Sequence, residues 1–395
     1  MVPNGWNTKP LADIVKEKIS YGIVQAGPHV PDGIPYIKSS DVRGTINPDA
    51  LQRTSQEIHF KYRRSSVHPG DIVFSLRGNI GESAIVPASL PEANLTQGTA
   101  RISVSVEHSN LFHYYQLASE KILNRVNALS KGSTFKEISL EELRKVKVLC
   151  APLPEQKKIA QILSTWDKAI TTTEQLLANS QQQKKALMQQ LLTGQKRLLD
   201  NNGVRFSGEW RETHLRNVSV IVMGASPKSS AYNETGDGMP LIQGNADIKH
   251  RLSTPRVHTS EITKKCSHGD ILLSVRAPVG NVAISQHEAC IGRGISSIKA
   301  KSNESQDFLY QWLLWFEPRW GSLSQGSTFE SINSDDIKSL KMKIPYLEEQ
   351  QKIAAVLSTA DQEISALQQK LDALKQEKKA LMQQLLTGKR RVLVS

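Results

Sequence analysis

The sequence predicts a mixed α+β protein built from two similar halves, each a globular α/β domain followed by a long helix. A segment that begins near residue 153 recurs near residue 347 without a gap, and its last eleven residues are identical in both copies. Apolar residues follow a heptad pattern through each copy, whereas short β-branched runs bounded by glycine or proline fill the regions between. The predicted globular domains are 1–151 and 200–346, and the long helices are 152–199 and 347–395.

The two long helices are predicted to form a coiled coil, because apolar side chains recur every three or four residues for about five heptads. Residues 155–193 would span about 58 Å at 1.5 Å per residue, and Gly194 and Gly388 stand where a glycine commonly ends a helix. The predicted apolar seam consists of Ile159, Leu163, Trp166, Ile170, Leu177, Leu187, Leu191, Ile353, Leu357, Ile364, Leu367, Leu371, Leu374, Leu381 and Leu385.

The helices are expected to pair antiparallel, which gives the chain a pseudo-two-fold internal duplication. A parallel pair in register would place Lys184 beside Lys378, two like charges in one layer of the seam. In an antiparallel pair with full overlap, Lys184 faces Ala360, where its stem has room to reach solvent. Lys378 then faces Trp166, which permits a cation–π contact.

The globular halves match each other more weakly. Residues 70–77 correspond to 269–276, and residues 132–135 to 326–329. Helices are predicted at 111–130 and 307–315, and Ser139 opens a short one. The predicted strands are 71–76, 83–86, 101–106, 145–149, 270–275, 281–285 and 341–344.

Composition limits the classes of function. Of 395 residues 38% are hydrophobic, which is ordinary for a globular protein. No apolar run approaches the roughly 18 residues that a membrane span needs, and the first residues lack a signal-peptide pattern, so a cytoplasmic protein without a membrane partner is expected. The net charge of +12 is spread along the chain. It favours binding of a polyanion such as nucleic acid, with simple solubility charge as the alternative.

The cysteines and histidines predict no metal site. Cys150, Cys266 and Cys290 are scattered, and the ten histidines include neither an HExxH motif nor a close pairing with cysteine. A cluster of Trp312, Trp315, Phe316 and Trp320 could stack on unpaired bases. Its helical spacing favours the core of a helix instead.

Together these motifs resemble the specificity subunit of a type I restriction-modification system, and the resemblance covers nearly the whole chain. It rests on duplicated segments, each with a leading tryptophan, a glycine-aspartate-isoleucine strand that ends in arginine, a GSTF tetrapeptide and a long helix. The tryptophans are Trp6 and Trp210, and the arginines are Arg77 and Arg276. The run LPEQKKIAQILS at 153–164, together with the LLTG that ends each long helix, is the most specific part.

The resemblance implies that each globular half is a target recognition domain, similar to the DNA-reading domain of TaqI-like adenine methyltransferases. The coiled coil would act as a ruler between the two halves of a bipartite, asymmetric site in double-stranded DNA. Two modification subunits would hold S-adenosylmethionine and methylate adenine, and restriction subunits would use ATP and Mg²⁺. This chain is then expected to hold no cofactor and no catalytic residue.

Candidate DNA contacts lie in polar or basic loops beside predicted strands. Arginine at a hairpin tip can donate two hydrogen bonds to guanine or bind phosphate, while glutamine and asparagine suit adenine edges. The alternative for each residue is a loop that merely connects. The candidates in the first half are Lys38, Ser39, Ser40, Arg43, Arg77, Asn79, Gln97, Thr99, Arg101, Lys131, Ser133 and Thr134. Those in the second half are Gln243, Asn245, Lys249, Arg276, Arg293, Ser327 and Thr328.

Three functions fit the sequence. The first is a DNA specificity subunit and scaffold without chemistry of its own. The second is a self-contained methyltransferase or nuclease with a coiled-coil dimerisation arm, and the third is a coiled-coil adaptor that does not bind DNA. The sequence contains no NPPY-type or DPPY tetrapeptide, no glycine-rich cofactor loop and no Walker A motif, which favours the first function.

Overall fold

The computed structural model describes residues 2–132, 136–323 and 331–393. The chain forms two compact units: unit 1 comprises Met1–Glu174 and Gln369–Ser395, and unit 2 comprises Gln175–Gln368. Each unit therefore combines a globular part with one half of each long helix. This division differs from the four consecutive domains that the sequence predicted, because each globular part packs against the helix halves beside it.

Unit 1 contains a four-stranded sheet, a three-stranded sheet and one antiparallel pair. The strands are β1 Asn7–Pro10, β2 Ser20–Tyr21, β3 Ile34–Ile37, β4 Gln52–Thr54, β5 Ile72–Ser75, β6 Ser83–Ile85, β7 Asn94–Leu95, β8 Thr99–Ile102 and β9 Lys147–Cys150. The helices are α1 Gln56–Tyr62, α2 Asn110–Leu117, α3 Glu120–Leu129, α4 Leu140–Lys145 and the long α5 Leu153–Leu191, of which the residues up to Glu174 belong to this unit. The strand orders are β2-β8-β5-β6, β4-β3-β7 and β1-β9.

Unit 2 repeats this plan with larger sheets. Its strands are β10 Arg211–His214, β11 Ser219–Met223, β12 Tyr232–Asn233, β13 Met239–Ile242, β14 Ile248–Lys249, β15 Leu252–Ser253, β16 Val257–Thr259, β17 Lys265–Cys266, β18 Ile271–Ser274, β19 Val282–Ile284, β20 Ala289–Ile291, β21 Ile295–Ala300 and β22 Lys341–Ile344. Its helices are α6 Leu215–Val218, α7 Gln306–Phe316, α8 Trp320–Leu323, α9 Ser334–Lys338 and the long α10 Leu347–Leu385, of which the residues up to Gln368 belong to this unit. The orders are β11-β21-β18-β19-β15-β14, β12-β16-β13-β20-β17 and β10-β22.

The mixed architecture is as predicted, and the local differences include a divided helix and a shifted strand. The predicted helix 111–130 is two helices, α2 and α3, because the chain turns at Ser119, whose hydroxyl donates to the carbonyl of Gln116 at 2.6 Å. The predicted strand 101–106 begins two residues earlier and ends at Ile102, because Thr99 already pairs with Ser75 of β5. In the described residues, no helix combines the length and apolar character that a membrane span requires.

The long helices run antiparallel within each unit, as predicted. In unit 1, Lys378 of α10 forms an ion pair with Asp167 of α5, and Lys375 pairs with Glu174 further along. In unit 2, Lys184 of α5 pairs with Asp361 of α10, and Ser180 donates to Glu363 at 3.0 Å. In both pairs of contacts the position along α5 rises as the position along α10 falls.

The predicted partners of the seam lysines are corrected by one residue. Asp361 rather than Ala360 receives Lys184, and Asp167 rather than Trp166 receives Lys378. The ring near the Lys378 ammonium is Tyr115, whose centroid lies 5.3 Å away. A carboxylate compensates a half-buried ammonium by charge and hydrogen bonding together, which an aromatic face does only in part.

The two aspartates also join the helices to the globular parts. Tyr115 of α2 donates its hydroxyl to Asp167 in unit 1, and Gln311 of α7 donates to Asp361 at 2.8 Å in unit 2. Each carboxylate thus accepts bonds from a globular side chain and from a lysine of the other helix half. The predicted seam residues are all buried or half-buried.

The tryptophan cluster of unit 2 is part of its core. Trp312 is 3% exposed and Trp320 is fully buried, in one apolar cluster with Phe308 and Ile353. This confirms the helix-core interpretation and removes these two rings from any surface that could stack on bases.

Candidate nucleic-acid interface

Three loops of unit 1 meet at one edge of its globular part and are here called the unit 1 loop surface. They are residues 38–43 after β3, residues 76–82 between β5 and β6, and residues 96–98 before β8. Ser39 Oγ donates to the carbonyl of Gly98 at 2.9 Å, which joins the first loop to the third. Arg43 donates to Asn79 Oδ1 at 2.6 Å, which joins the first loop to the second. The three loops therefore present one surface.

The predicted contacts on this surface differ in availability. Ser40, Arg43 and Gln97 are exposed, while Lys38, Ser39 and Asn79 are half-exposed. Arg77 is also half-exposed, yet its Nε is buried and has no hydrogen-bond partner among the residues that the structure describes. An unpartnered guanidinium N–H costs stability unless an acceptor reaches it.

Unit 2 has the same frame, here called the unit 2 loop surface, formed by residues 243–249, 275–281 and 292–294. The backbone N–H of Gln243 donates to Asp247 Oδ2 at 2.8 Å, as that of Lys38 donates to Asp41 Oδ2 at 2.9 Å in unit 1. The N–H of Val275 donates to Gly294, as that of Leu76 donates to Gly98. The backbone is repeated while the side chains differ.

Four of the predicted contacts line one cleft of about 650 Å³ on the unit 2 loop surface: Gln243, Asn245, Arg276 and Arg293. Both arginines are exposed, and Asn245 Oδ1 accepts a bond from Asn281. Two guanidinium groups and two amides in one cleft offer donors for phosphate or guanine and paired donor–acceptor groups for adenine. Lys249 is exposed in β14 and does not line this cleft.

Two predicted contacts of unit 1 are corrected. Thr99 is fully buried, and its hydroxyl is within hydrogen-bond distance of the carbonyls of Ile37 and Thr96. Arg101 is 6% exposed, donates to the carbonyl of Ser66 at 2.7 Å and forms an ion pair with Glu17. Both belong to β8, an inner strand whose residues are all buried. Their bonding groups serve the fold rather than a DNA surface.

The remaining candidates precede α4 and α9 in the sequence. Lys131 is exposed, and its backbone pairs with Glu137 in both directions at 2.9 Å. Ser133, Thr134, Ser327 and Thr328 lie outside the described residues.

Sequence reasoning missed several residues of these surfaces. Ser226 and Tyr232 line the unit 2 cleft, and Ser226 Oγ accepts the backbone N–H of Arg293 at 3.1 Å. Asp41 and Asp247 fix the first loop of each surface. The aspartates could have been found, since each follows a matched apolar strand at a similar distance, whereas nothing local marks Ser226.

A glycine allows the hairpin of each loop surface to pack closely against a helix. Gly81 and Gly280 both adopt positive φ, and a Cβ on either would meet a side chain: the end of Leu123 at 2.6 Å for Gly81, and the ring and Cβ of buried Trp320 at 2.4–2.6 Å for Gly280. Leu123 can turn aside, but Trp320 cannot. The position of Arg276 therefore depends on Gly280 more than that of Arg77 depends on Gly81.

Gly280→Ala is expected to lower the free energy of unfolding by about 2–5 kcal/mol, the sum of left-handed strain and overpacking. Gly269→Ala is the matched control, because Gly269 has a similar φ of +84° with nothing within 4 Å of an added Cβ. It should cost only about 1–2 kcal/mol. Urea denaturation of both variants measures the difference. Equal losses in the free energy of unfolding would contradict close packing of the hairpin on Trp320.

Two histidines and a cysteine lie close together although the sequence contains no metal-binding motif. In unit 1, His108, His113 and Cys150 place one potential ligand atom each within 4.8 Å of the other two. The two histidines are five residues apart, and Cys150 meets them because β9, which ends at Cys150, lies beside α2. No simple sequence motif records this proximity.

A known protein family matches each half of the duplicated chain. The family model described as the type I restriction modification DNA specificity domain matches residues 3–179 and 207–376. The putative type I restriction enzyme MjaX specificity subunit of Methanocaldococcus jannaschii is 31% identical over 419 aligned positions, which cover 99% of this chain and 95% of that protein. The type I restriction enzyme EcoBI specificity subunit of Escherichia coli is 28% identical, over 41% of this chain and 35% of its own.

Solved structures share the fold. The type I restriction-modification S subunit from M. genitalium is 17% identical with a TM-score of 0.64, covering 98% of this chain and 97% of that one. A chain from a study of complex assembly and conformational transition in a type I restriction-modification system is 24% identical with a TM-score of 0.60, covering 99% and 100%. At these identities the likeness concerns the fold alone.

Proposed function

The chain belongs to the type I restriction modification DNA specificity family, and we propose that it reads a bipartite, asymmetric site in double-stranded DNA, one loop surface per half-site. It is the DNA specificity subunit of a type I restriction-modification complex and not itself the methyltransferase or nuclease, since its relatives are specificity subunits. The observation that carries the proposal is the loop frame that both units repeat with different side chains.

The repeated frame supports similar docking with different readout. Asp41 and Asp247 hold the first loop in the same way, so each unit can approach DNA with the same backbone. Lys38 stands where unit 2 has Gln243, and these side chains favour different base edges. Two related surfaces that read different bases predict an asymmetric target.

The chain assembles with modification and restriction subunits on DNA, and we infer two modification subunits, one for each repeated half. S-adenosylmethionine would bind the modification subunits, and ATP and Mg²⁺ the restriction subunits. The chain itself would hold none of these and would act in the cytoplasm, where its DNA target is. The duplication supports the stoichiometry, since equivalent helix and domain surfaces occur twice.

The test is methylation mapping of a host with and without this chain, and of the purified chain with modification subunits. Adenine methylation at a two-part asymmetric motif should depend on the chain, and the chain alone should transfer no methyl group. Methyl transfer by the chain alone would support the alternative that the chain is a self-contained enzyme. Lack of duplex binding across a salt series, where phosphate contacts weaken steeply with salt, would favour the adaptor.

Arg77→Ala and Arg276→Ala are each expected to relax the sequence of one half-site only, at about 1–3 kcal/mol if the guanidinium bonds a base. A phosphate contact would instead weaken binding evenly and lower the salt slope. Binding of the modification complex to a library of sites separates these results. Arg216→Ala, an exposed arginine of α6 outside the loop surface, is the control. Unchanged affinity and salt slope would remove both arginines from the interface.

A further inference from the structure

Two histidines and a cysteine converge in unit 1 away from the loop surface. His108 lies just before α2 and is half-buried, His113 lies within α2 and is fully buried, and Cys150 ends β9 and is 4% exposed. His113 Nε2 and His108 Nδ1 are 3.2 Å apart. One potential ligand atom of each residue lies within 4.8 Å of the other two.

The separations fit a small tetrahedral metal ion. Zinc binds imidazole nitrogen at about 2.0–2.1 Å and thiolate sulfur at about 2.3 Å, which sets two ligating nitrogens about 3.3 Å apart. The two histidine nitrogens already stand at nearly this distance. Imidazole and thiolate are also the ligand types that select zinc over magnesium or calcium. A modest movement of the Cys150 thiol would complete a three-residue set.

Metal binding requires a neutral imidazole and a thiolate, so an ion at this site would release the proton of the Cys150 thiol.

Hydrogen bonding explains the cluster only in part. Nε2 of His113 and Nδ1 of His108 lie within hydrogen-bond distance of each other, whereas Nδ1 of His113 has no partner in the described part of the chain and would stay unpartnered with an ion on Nε2. Gln156 Nε2 lies 3.3 Å from His108 Nδ1 but donates to the carbonyl of Ala151 at 2.8 Å. A metal ion on His108 would therefore displace only the longer of these two contacts.

Unit 2 keeps the same frame without the ligands. Gln350 Oε1 accepts the N–H of Ser305 at 2.9 Å, as Gln156 Oε1 accepts that of Ser109 at 2.9 Å. When the two units are aligned on these serines and glutamines, the positions of His108, His113 and Cys150 correspond in unit 2 to Glu304, Leu309 and Ile344. The fold therefore requires neither the histidines nor the cysteine.

We propose that His108, His113 and Cys150 form a zinc-binding site, with solvent as the fourth ligand on the half-exposed side of His108. The ion would join the start of α2 to the end of β9, only three residues before α5 begins at Leu153. Its effect would be to fix the globular part of unit 1 against the start of its long helix.

The test uses the full-length chain, stripped with a chelator and titrated with Co²⁺ as a spectroscopic probe, then with Zn²⁺. One equivalent of Co²⁺ should produce a thiolate-to-cobalt charge-transfer band and visible bands of a tetrahedral ion, and Zn²⁺ should bleach both. Zn²⁺ should raise the melting temperature by at least about 3 °C, since an ion that binds only the folded state stabilises it.

Matched variants assign the ligands. Cys150→Ala should lose the charge-transfer band. His108→Ala and His113→Leu should weaken Co²⁺ binding more than tenfold. Leucine is chosen at position 113 because Leu309 stands at the equivalent position of unit 2. Cys266→Ala, a buried cysteine of unit 2, should behave as the native chain. Melting in chelator verifies that each variant folds. Absence of cobalt bands in the native chain, or bands unchanged in Cys150→Ala and His108→Ala, would overturn the site.

Discussion

Inserting one heptad into each long helix should lengthen the unread spacer of the DNA site by about three base pairs and leave both half-sites unchanged. Seven residues add about 10 Å of helix, and B-DNA rises about 3.4 Å per base pair. Seven residues also make nearly two turns, so the apolar seam stays on the same face to within about 20°. The change therefore alters separation far more than orientation.

The insertion points follow from the division of the chain into units. One heptad after Glu174 in α5 and one after Gln368 in α10 fall where each helix passes from one unit to the other. The ion pair of Lys378 with Asp167 lies wholly in unit 1, and that of Lys184 with Asp361 lies wholly in unit 2. Both pairs keep their register when both helices are extended.

The measurement is adenine methylation of a library in which the two half-sites are separated by every spacer length. Three added base pairs turn one half-site by about 100° around the DNA axis, at about 10.5 base pairs per turn. Methylation at the new optimum should therefore be slower than native. A heptad in α5 alone is the control and should abolish methylation, because it breaks the register. Retention of the original spacer by the double insertion would contradict the ruler.

Local patterns in the sequence predicted most of the architecture. The seam follows from residues three and four apart, and α5 and α10 end within three residues of Gly194 and Gly388. Antiparallel pairing followed from one like-charge conflict between Lys184 and Lys378. These features depend on neighbours along the chain, which is why the sequence alone reveals them.

The roles of individual side chains depended on contacts that the sequence does not record. Arg101 was predicted to be a DNA contact beside a polar loop. It belongs to β8, which lies between β2 and β5 and buries every residue, so the usual alternation of buried and exposed residues along a strand could not reveal its burial. No role was predicted for Asp167 and Asp361 from the sequence. Their partners Tyr115 and Gln311 belong to the globular parts, and only the folded chain brings them together.

Residues 1–199 alone are expected to form a two-fold dimer that reads a palindrome, the first half-site and its inverted repeat. The fragment holds one loop surface and all of α5. In the intact chain Lys184 pairs with Asp361, whose equivalent in the first copy of the repeat is Asp167. In the dimer, Lys184 of each fragment would therefore face Asp167 of the other, and the ion pair forms twice.

A second contact of the intact chain is also recreated. In unit 1, Arg391 donates two bonds to Glu155, at 2.7 and 2.8 Å, and Trp6 Nε1 donates a third at 3.0 Å. In unit 2, Arg197 donates to Glu349 at 2.6 and 2.7 Å. The fragment contains Arg197 and Glu155, so Arg197 of each copy can reach Glu155 of the other.

This contact makes the dimer sensitive to acid. Burial opposes ionisation of Glu155, but the hydrogen bonds from Arg391 and Trp6 outweigh it and lower the pKa overall. A carboxyl whose pKa is lowered by folding contributes stability above its unfolded pKa and loses it as the pH falls through the folded value. The dimer should hold at neutral pH and weaken only as the pH falls below the ordinary glutamate pKa of about 4.3.

Sedimentation of the fragment over a concentration series, with methylation mapping in the presence of modification subunits, tests this model. Thr173 and Ser180 interrupt the seam, so dimerisation requires high concentration or bound partners. Lys184→Glu should weaken the dimer about a hundredfold, since two ion pairs are lost at roughly 1.4 kcal/mol each. Lys184→Glu with Asp167→Lys restores both pairs and should restore the dimer, while exposed Lys185→Glu should change little. A fragment that stays monomeric with its partners, or methylates an asymmetric site, would exclude the two-fold arrangement, because identical copies related by a two-fold axis can present only identical half-sites.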